Sequence, residues 1–202
     1  MSEQLTQRLN QILPKIMSDE FLAGSGIGNE IAFHIFDYPP EYELEVRRHL
    51  DTLLQHLQRS KPNLRVKHIN LFDFLIEYLE ERGLLEESLK LQREQGDAAL
   101  ARALKGVLSE DKIARRFGNL AQPAEHDLLL ISGVGSVYPL LRSHTLLNNL
   151  HSIMGQTPLV MFYPGKYDQT SLRLFGKRST SGGGAASRGR QVNYYRAFRL
   201  ID

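Results

Sequence analysis

Apolar residues recur at Leu5, Leu9, Ile12, Leu13 and Ile16, a 3.6-residue period that predicts an amphipathic helix over residues 5–17. Pro14 is expected to weaken or kink its last turn. Residues 31–36 form a short apolar run that reads as a buried strand, with Asp37-Tyr38-Pro39-Pro40 expected to stop it. Val46, Leu50, Leu53, Leu54 and Leu57 then mark one face of a helix over about residues 40–58. Residues 64–69 read as a second strand. Asn70 opens a helix with Asp73 at capping-box spacing, Phe72, Leu75, Ile76 and Leu79 as its inner face, and Gly83 as its stop. Leu85, Leu89, Leu100, Leu104 and Val107 predict a helix over residues 85–107, interrupted at Gly96, and Ser109 caps another through Ile113 and Phe117.

The run Leu128 to Ser132 has no alternation, which predicts a strand covered on both faces. Gly133 to Ser136 reads as a turn into a helix reaching about Met154. Leu159 to Tyr163 and Tyr195 to Leu200 complete the strands. Residues 179–190 are Gly/Ser-rich and cannot bury enough apolar surface to offset ordering, so they read as a flexible loop. Alternating strands and helices predict an α/β fold in one domain spanning 1–202: a mostly parallel sheet of about five strands with helices on both faces.

Composition narrows the chemistry. The chain has 202 residues and no cysteine, which removes disulfides, thiolate catalysis and cysteine-based zinc sites. No stretch has the length of a membrane span, and residues 1–16 are too polar for a signal peptide, so a cytoplasmic protein without membrane contact is expected. Charge is uneven: residues 1–120 carry 16 Lys and Arg against 19 Asp and Glu, whereas 121–202 carry 9 against 4. A basic carboxyl-terminal region can meet a polyanion or an acidic protein face.

No complete catalytic motif is present. Gly24-Ser25-Gly26-Ile27-Gly28 precedes the first strand, whereas a phosphate loop must follow one. Gly133-Val134-Gly135-Ser136 is placed between strand and helix, where amides can bind an anion, with Arg142 about two turns on. Tyr138 stands where a dinucleotide fingerprint needs its third glycine. Ser136 as a nucleophile needs a base, and its surroundings are not a nucleophile elbow. His144 and His151 share a helix face, but nothing on that helix completes a metal site. No catalytic residue, cofactor or metal ligand is therefore expected.

Two segments break local propensity, which is where function is expected. Residues 142–151 carry two histidines, Asn148 and Asn149 in a helical stretch. Phe162 to Asp168 lies at the carboxyl end of a strand, where open α/β sheets bind ligands, and Tyr163 and Tyr167 can anchor a partner. Direct non-specific DNA binding by the basic carboxyl-terminal region, through Lys177, Arg178, Arg188, Arg190 and Arg196 with Tyr194 and Tyr195 interleaved, is the alternative.

Residues 28–50 (GNEIAFHIFDYPPEYELEVRRHL), 69–83 (INLFDFLIEYLEERG), 131–151 (ISGVGSVYPLLRSHTLLNNLH), 155–176 (GQTPLVMFYPGKYDQTSLRLFG) and 193–200 (NYYRAFRL) resemble the BrxB family, small components of bacterial BREX antiphage systems. The resemblance covers nearly the whole chain; the stretch 179–190 is longer than the family leads one to expect. BREX systems methylate adenine in host DNA and block replication of unmodified phage DNA. The resemblance implies a non-catalytic complex component whose first partner is PglZ, the alkaline-phosphatase-like protein, with the methyltransferase PglX and the ATPase BrxC as further ones. Combined with the blocks at strand ends, it points to Asp37, Tyr38, Tyr138, Arg142, His144, Asn148, Asn149, Tyr163, Tyr167 and Arg173 as partner-binding residues.

Overall fold

Unbroken apolar strands need cover on both faces, and the computed structural model shows how this chain supplies it. The structure describes residues 2–23, 33–141, 147, 150, 153–169, 171–175 and 197–202. Strands β1 (Phe33–Tyr38), β2 (Val66–Asn70), β3 (Leu128–Ser132), β4 (Leu159–Tyr167), β5 (Leu172–Leu174) and β6 (Ala197–Arg199) form one sheet. Its order is β2-β3-β4-β1-β6, every neighbour parallel, with β5 antiparallel on the far end of β4.

The helices divide between the two faces. On one side α1 (Glu3–Ile16), α2 (Asp19–Leu22) and α3 (Glu43–Ser60) cover Phe36, Leu128, Leu130, Val160 and Phe162. On the other, α4 (Leu71–Glu80) and α7 (Glu110–Ala121) pack with Leu147, Leu150 and Met154 on Phe33, Ile35, Leu129, Ile131, Leu159 and Met161. Alternate residues of β3 thus face opposite cores, and all five are buried. The α/β class with a mostly parallel, doubly covered sheet is as the sequence predicts. Among the described residues no helix is long and apolar enough to cross a membrane.

Local chemistry sets the boundaries. The Ser2, Ser18 and Asn70 side chains accept amide hydrogen bonds from Leu5, Phe21 and Phe72 and start α1, α2 and α4. Pro14 lies on the exposed side of α1, which runs on through Ile16. Gly96, at φ +79°, separates α5 (Leu85–Gln95) from α6 (Asp97–Leu104) where the interruption is expected.

Several expectations are corrected. In α4 the inner face is Leu71, Phe74, Leu75, Tyr78 and Leu79, and Phe72 is exposed, because the strand delivers Leu71 directly into the core. Leu89 of α5 is likewise exposed. β1 does not stop before Asp37 but runs through Tyr38, since Asp37 and Tyr38 keep their amides and Pro39 is the first residue without one. The turn expected at Gly133 to Ser136 is present but runs on to residue 140, where a helix is expected: Pro139 removes a donor and disfavours a helical Tyr138. Helical backbone is present at Leu147, Leu150, Ile153 and Met154. β4 continues past Tyr163 to Tyr167, adding a strand pair with β5 that the sequence pattern does not announce. The glycine-rich loop before β1 and the stretch 179–190 lie outside the described residues.

Asp37, near the carboxyl end of β1, joins distant parts of the chain. Its Oδ1 accepts from Arg8 of α1 at 2.8 Å and its Oδ2 accepts from the Tyr167 amide at 3.0 Å. Arg8 also donates to the Asp37 carbonyl at 2.8 Å and to the Ile201 carbonyl at 3.1 Å, and its guanidinium lies over the Phe36 ring. Arg199 of β6 donates to the Tyr167 carbonyl and sits 3.9 Å from Asp37. Removing one partner of a buried pair leaves the others uncompensated. Asp37→Asn is expected to lower the unfolding free energy by about 3 kcal/mol, measured by urea denaturation.

Candidate functional site

In an open α/β sheet the ligand crevice lies beyond the carboxyl ends of the strands, where neighbouring crossovers depart to opposite faces. Here that place is above β4, between the turn from β1 into α3 and the turn after β3. The first leads to the face covered by α3, the second toward Leu147, Leu150 and Met154 on the other face. The chain fills the gap itself. Pro164 carries β4 onward, its carbonyl accepting the Phe175 amide at 3.0 Å. A side chain at Gly165 would strike the Arg173 carbonyl oxygen at 2.2 Å, so glycine is what lets β5 fold back over the strand end. Likewise a Cβ on Gly135 would come within 3.0 Å of Pro164 and 3.1 Å of the Phe175 ring. The β4–β5 hairpin is thus packed directly against the turn after β3.

A polar chain bridges the two turns. The buried Tyr38 hydroxyl donates to Glu43 at 2.5 Å, Glu43 accepts from Arg47 Nε at 2.8 Å, and Arg47 donates to the Ser136 hydroxyl at 2.9 Å. Burial, before the Glu43 carboxylate, drives the Tyr38 phenol far above its ordinary range. Arg47 is a permanent cation and cannot take a proton from Ser136, so that hydroxyl has a structural donor where a nucleophile would need a base.

Among the described residues two aromatic rings remain exposed at this edge. Tyr138 is 53% and Phe175 40% accessible, and they meet edge to face with centroids 6.1 Å apart. Leu44, one turn from Arg47 on α3, is 61% accessible. On the hairpin Arg173 pairs with Asp168 at 3.0 Å, and Asp168 also accepts from the Ser171 amide and hydroxyl.

The residues singled out from the sequence therefore separate. Tyr138 and Arg173 are accessible on this edge. Asp37, Tyr38, Tyr163 and Tyr167 are buried, so in this conformation they offer no area to a partner. Their block of sequence builds the strand ends instead: the Tyr167 hydroxyl, for one, donates to the Ala197 carbonyl at 2.6 Å. Arg142, His144, Asn148, Asn149 and, in the basic region, Lys177, Arg178, Arg188, Arg190 and Arg196 lie outside the described residues. Phe175 and Arg47 were not legible, because no spacing rule links α3 to the hairpin.

A second polar pair also escapes sequence reasoning. His68 Nε2 of β2 is 2.8 Å from Ser132 Oγ of β3. That is a nucleophile-to-base distance, but Ser132 is buried and the contact cross-links two neighbouring strands. A cavity of about 440 Å³ along α5 is lined by Glu86, Glu87, Lys90, Arg93 and Glu94, one helix's charged flank remote from the strand ends.

Comparison with known proteins gives concordant matches. The family model of BREX protein BrxB matches residues 67–200. A BREX protein BrxB of Bacillus cereus (strain H3081.97) is 38% identical over 203 residues, covering 98% of this chain and 98% of that protein. A BREX protein BrxB of Escherichia coli O9:H4 (strain HS) is 40% identical over 197 residues, covering 98% and 92%. No solved structure matches.

Burial lowers the pKa of His68 and of His49, only partly offset by Asp51 and Asp73 at His68 and by the Leu9 backbone at His49. The folded state therefore binds these protons less readily than the unfolded chain. The two neutral imidazoles contribute stability that is complete above the unfolded histidine pKa of about 6.5 and is lost as pH falls below it. Thermal melts from pH 8 to 5 are expected to show Tm falling below about pH 6.5, with a shallower fall in His68→Gln.

Proposed function

The chain belongs to the BrxB family of BREX proteins, and from that membership we propose that it is a non-catalytic adaptor of a BREX phage-defence system, working in the cytoplasm by docking PglZ. The carboxyl edge of the sheet is the docking face, with Tyr138 and Phe175 as its anchors and Arg173 beside them. PglX and BrxC join through the assembly so formed.

One observation carries this reading. The crevice in which a sheet of this kind would hold a small molecule is occupied by the protein's own β4–β5 hairpin, and the hairpin leaves an aromatic pair facing outward. Large, rigid rings that lose little freedom on contact are the side chains that most often dominate protein interfaces. The hydrogen bond of Ser136 to Arg47 further supports a role without turnover.

The test is co-purification with the PglZ encoded beside it, at low and moderate salt and without DNA. A stoichiometric complex that survives moderate salt is expected, weakened at least about tenfold by Tyr138→Ala or Phe175→Ala. Absence of a complex, with salt-sensitive DNA binding in its place, would overturn the proposal and move function to the basic residues 177–196.

A further inference from the structure

Presenting an exposed tyrosine on a turn is useful only if the turn is held. The turn after β3 has a fixed point at its start, where Gly133 (φ +72°) lies so close to the Asn70 side chain that a Cβ there would be 2.1 Å from Oδ1. Its flank at Gly135 rests on Pro164 and Phe175. Ser136 is the exposed residue between these contacts and Tyr138, and its side-chain partner comes from a different element, Arg47 of α3. Arg47 is in turn oriented by Glu43, which the Tyr38 hydroxyl fixes to the end of β1. The guanidinium is therefore the last member of a chain running from the sheet interior to the turn that carries Tyr138.

From this we infer that Arg47 is a positioning residue for docking: by gripping Ser136 it holds Tyr138 against Phe175 in the orientation a partner meets. The inference rests on the docking face proposed above. Its physical basis is preorganisation. A ring already fixed before contact loses less freedom on binding than one on a loose turn, and the difference appears in affinity without any contact between Arg47 and the partner. A hydrogen bond to a charged donor is strong enough to fix a short turn. Because Arg47 and Ser136 are both exposed, breaking their bond leaves the core intact.

The chain contains no tryptophan, so Tyr138→Trp supplies a reporter at the one position that matters. Time-resolved fluorescence anisotropy of that protein alone is expected to show a ring moving with the whole molecule. Adding Ser136→Ala or Arg47→Met introduces a fast local component, and adding Ser136→Thr, which keeps the hydroxyl, does not. A decay unchanged by both Ser136→Ala and Arg47→Met overturns the inference, as does a ring already loose before either change. In the Tyr138 background, Ser136→Ala and Arg47→Met each weaken PglZ binding about tenfold with Tm unchanged, while Ser136→Thr retains affinity. Weakening by Arg47→Met but not by Ser136→Ala would mean that Arg47 touches the partner directly, and would overturn the positioning role. If the parent protein binds no PglZ, the docking reading fails, while the anisotropy arm still decides whether the clamp exists.

Discussion

A carboxylate placed out of water near the end of a central strand must be compensated by the chain itself, and at Asp37 the compensation organises the fold. Arg8 comes from the first helix, the Tyr167 amide from the far end of β4, and Arg199 from β6. None is near Asp37 in sequence. Apolar burial on the two faces of the sheet supplies most of the driving force but is indifferent to small displacements of helix against sheet. The charged cluster is directional. It fixes where α1 crosses the sheet, keeps β6 beside β1, and ties Tyr167 back so that the strand beyond Pro164 returns toward the body of the protein. Such clusters are weak contributors to net stability beside a hydrophobic replacement, and their attested use is in selecting one arrangement among several.

That constraint also shapes the carboxyl edge of the sheet. With Tyr167 held by Asp37 and its hydroxyl by Ala197, β4 and β5 lie across the strand ends where an open sheet would otherwise be accessible. Glycine at 135 and 165 permits the close approach, and Arg47 spans the remaining distance to Ser136. The outcome is a mostly parallel α/β fold whose crevice is internally filled and whose outer surface there is aromatic.

Sequence reasoning reached the α/β class, both covers of the sheet and nearly all elements, because these follow from local periodicity and from runs such as Leu128 to Ser132. It missed the β4–β5 hairpin, since Pro164 and Gly165 resemble a turn unless one knows that another strand crosses them. It opened a helix directly after the Gly133 to Ser136 turn, overlooking how Pro139 constrains the residue before it. Of the residues it singled out, Tyr138 and Arg173 lie accessible on the carboxyl edge, whereas the dense block around Asp37, Tyr38, Tyr163 and Tyr167 is buried. Distinctive polar and aromatic residues at strand ends serve a buried network as readily as a binding face, and tertiary contacts such as the one from the Tyr167 amide to Asp37, 130 positions apart, separate the two. Arg47 and the His68–Ser132 pair likewise depend on long-range contacts, 89 positions from Arg47 to Ser136 and 64 from His68 to Ser132, and Phe175 on its contact with Tyr138.

The bond between Arg8 and the carbonyl of Ile201 joins residues 193 positions apart. On the ribosome, α1 and β1 emerge with the Asp37 charge while Arg199 and the segment around Tyr167 are still to be made. The amino-terminal half can gather helices onto one face of β1, but the strand end stays under-compensated until β4 and β6 arrive. This cluster accordingly closes only once β6 has emerged, and a nascent or prematurely terminated chain lacking β6 would expose the edge of β1 as a substrate for chaperones and proteases.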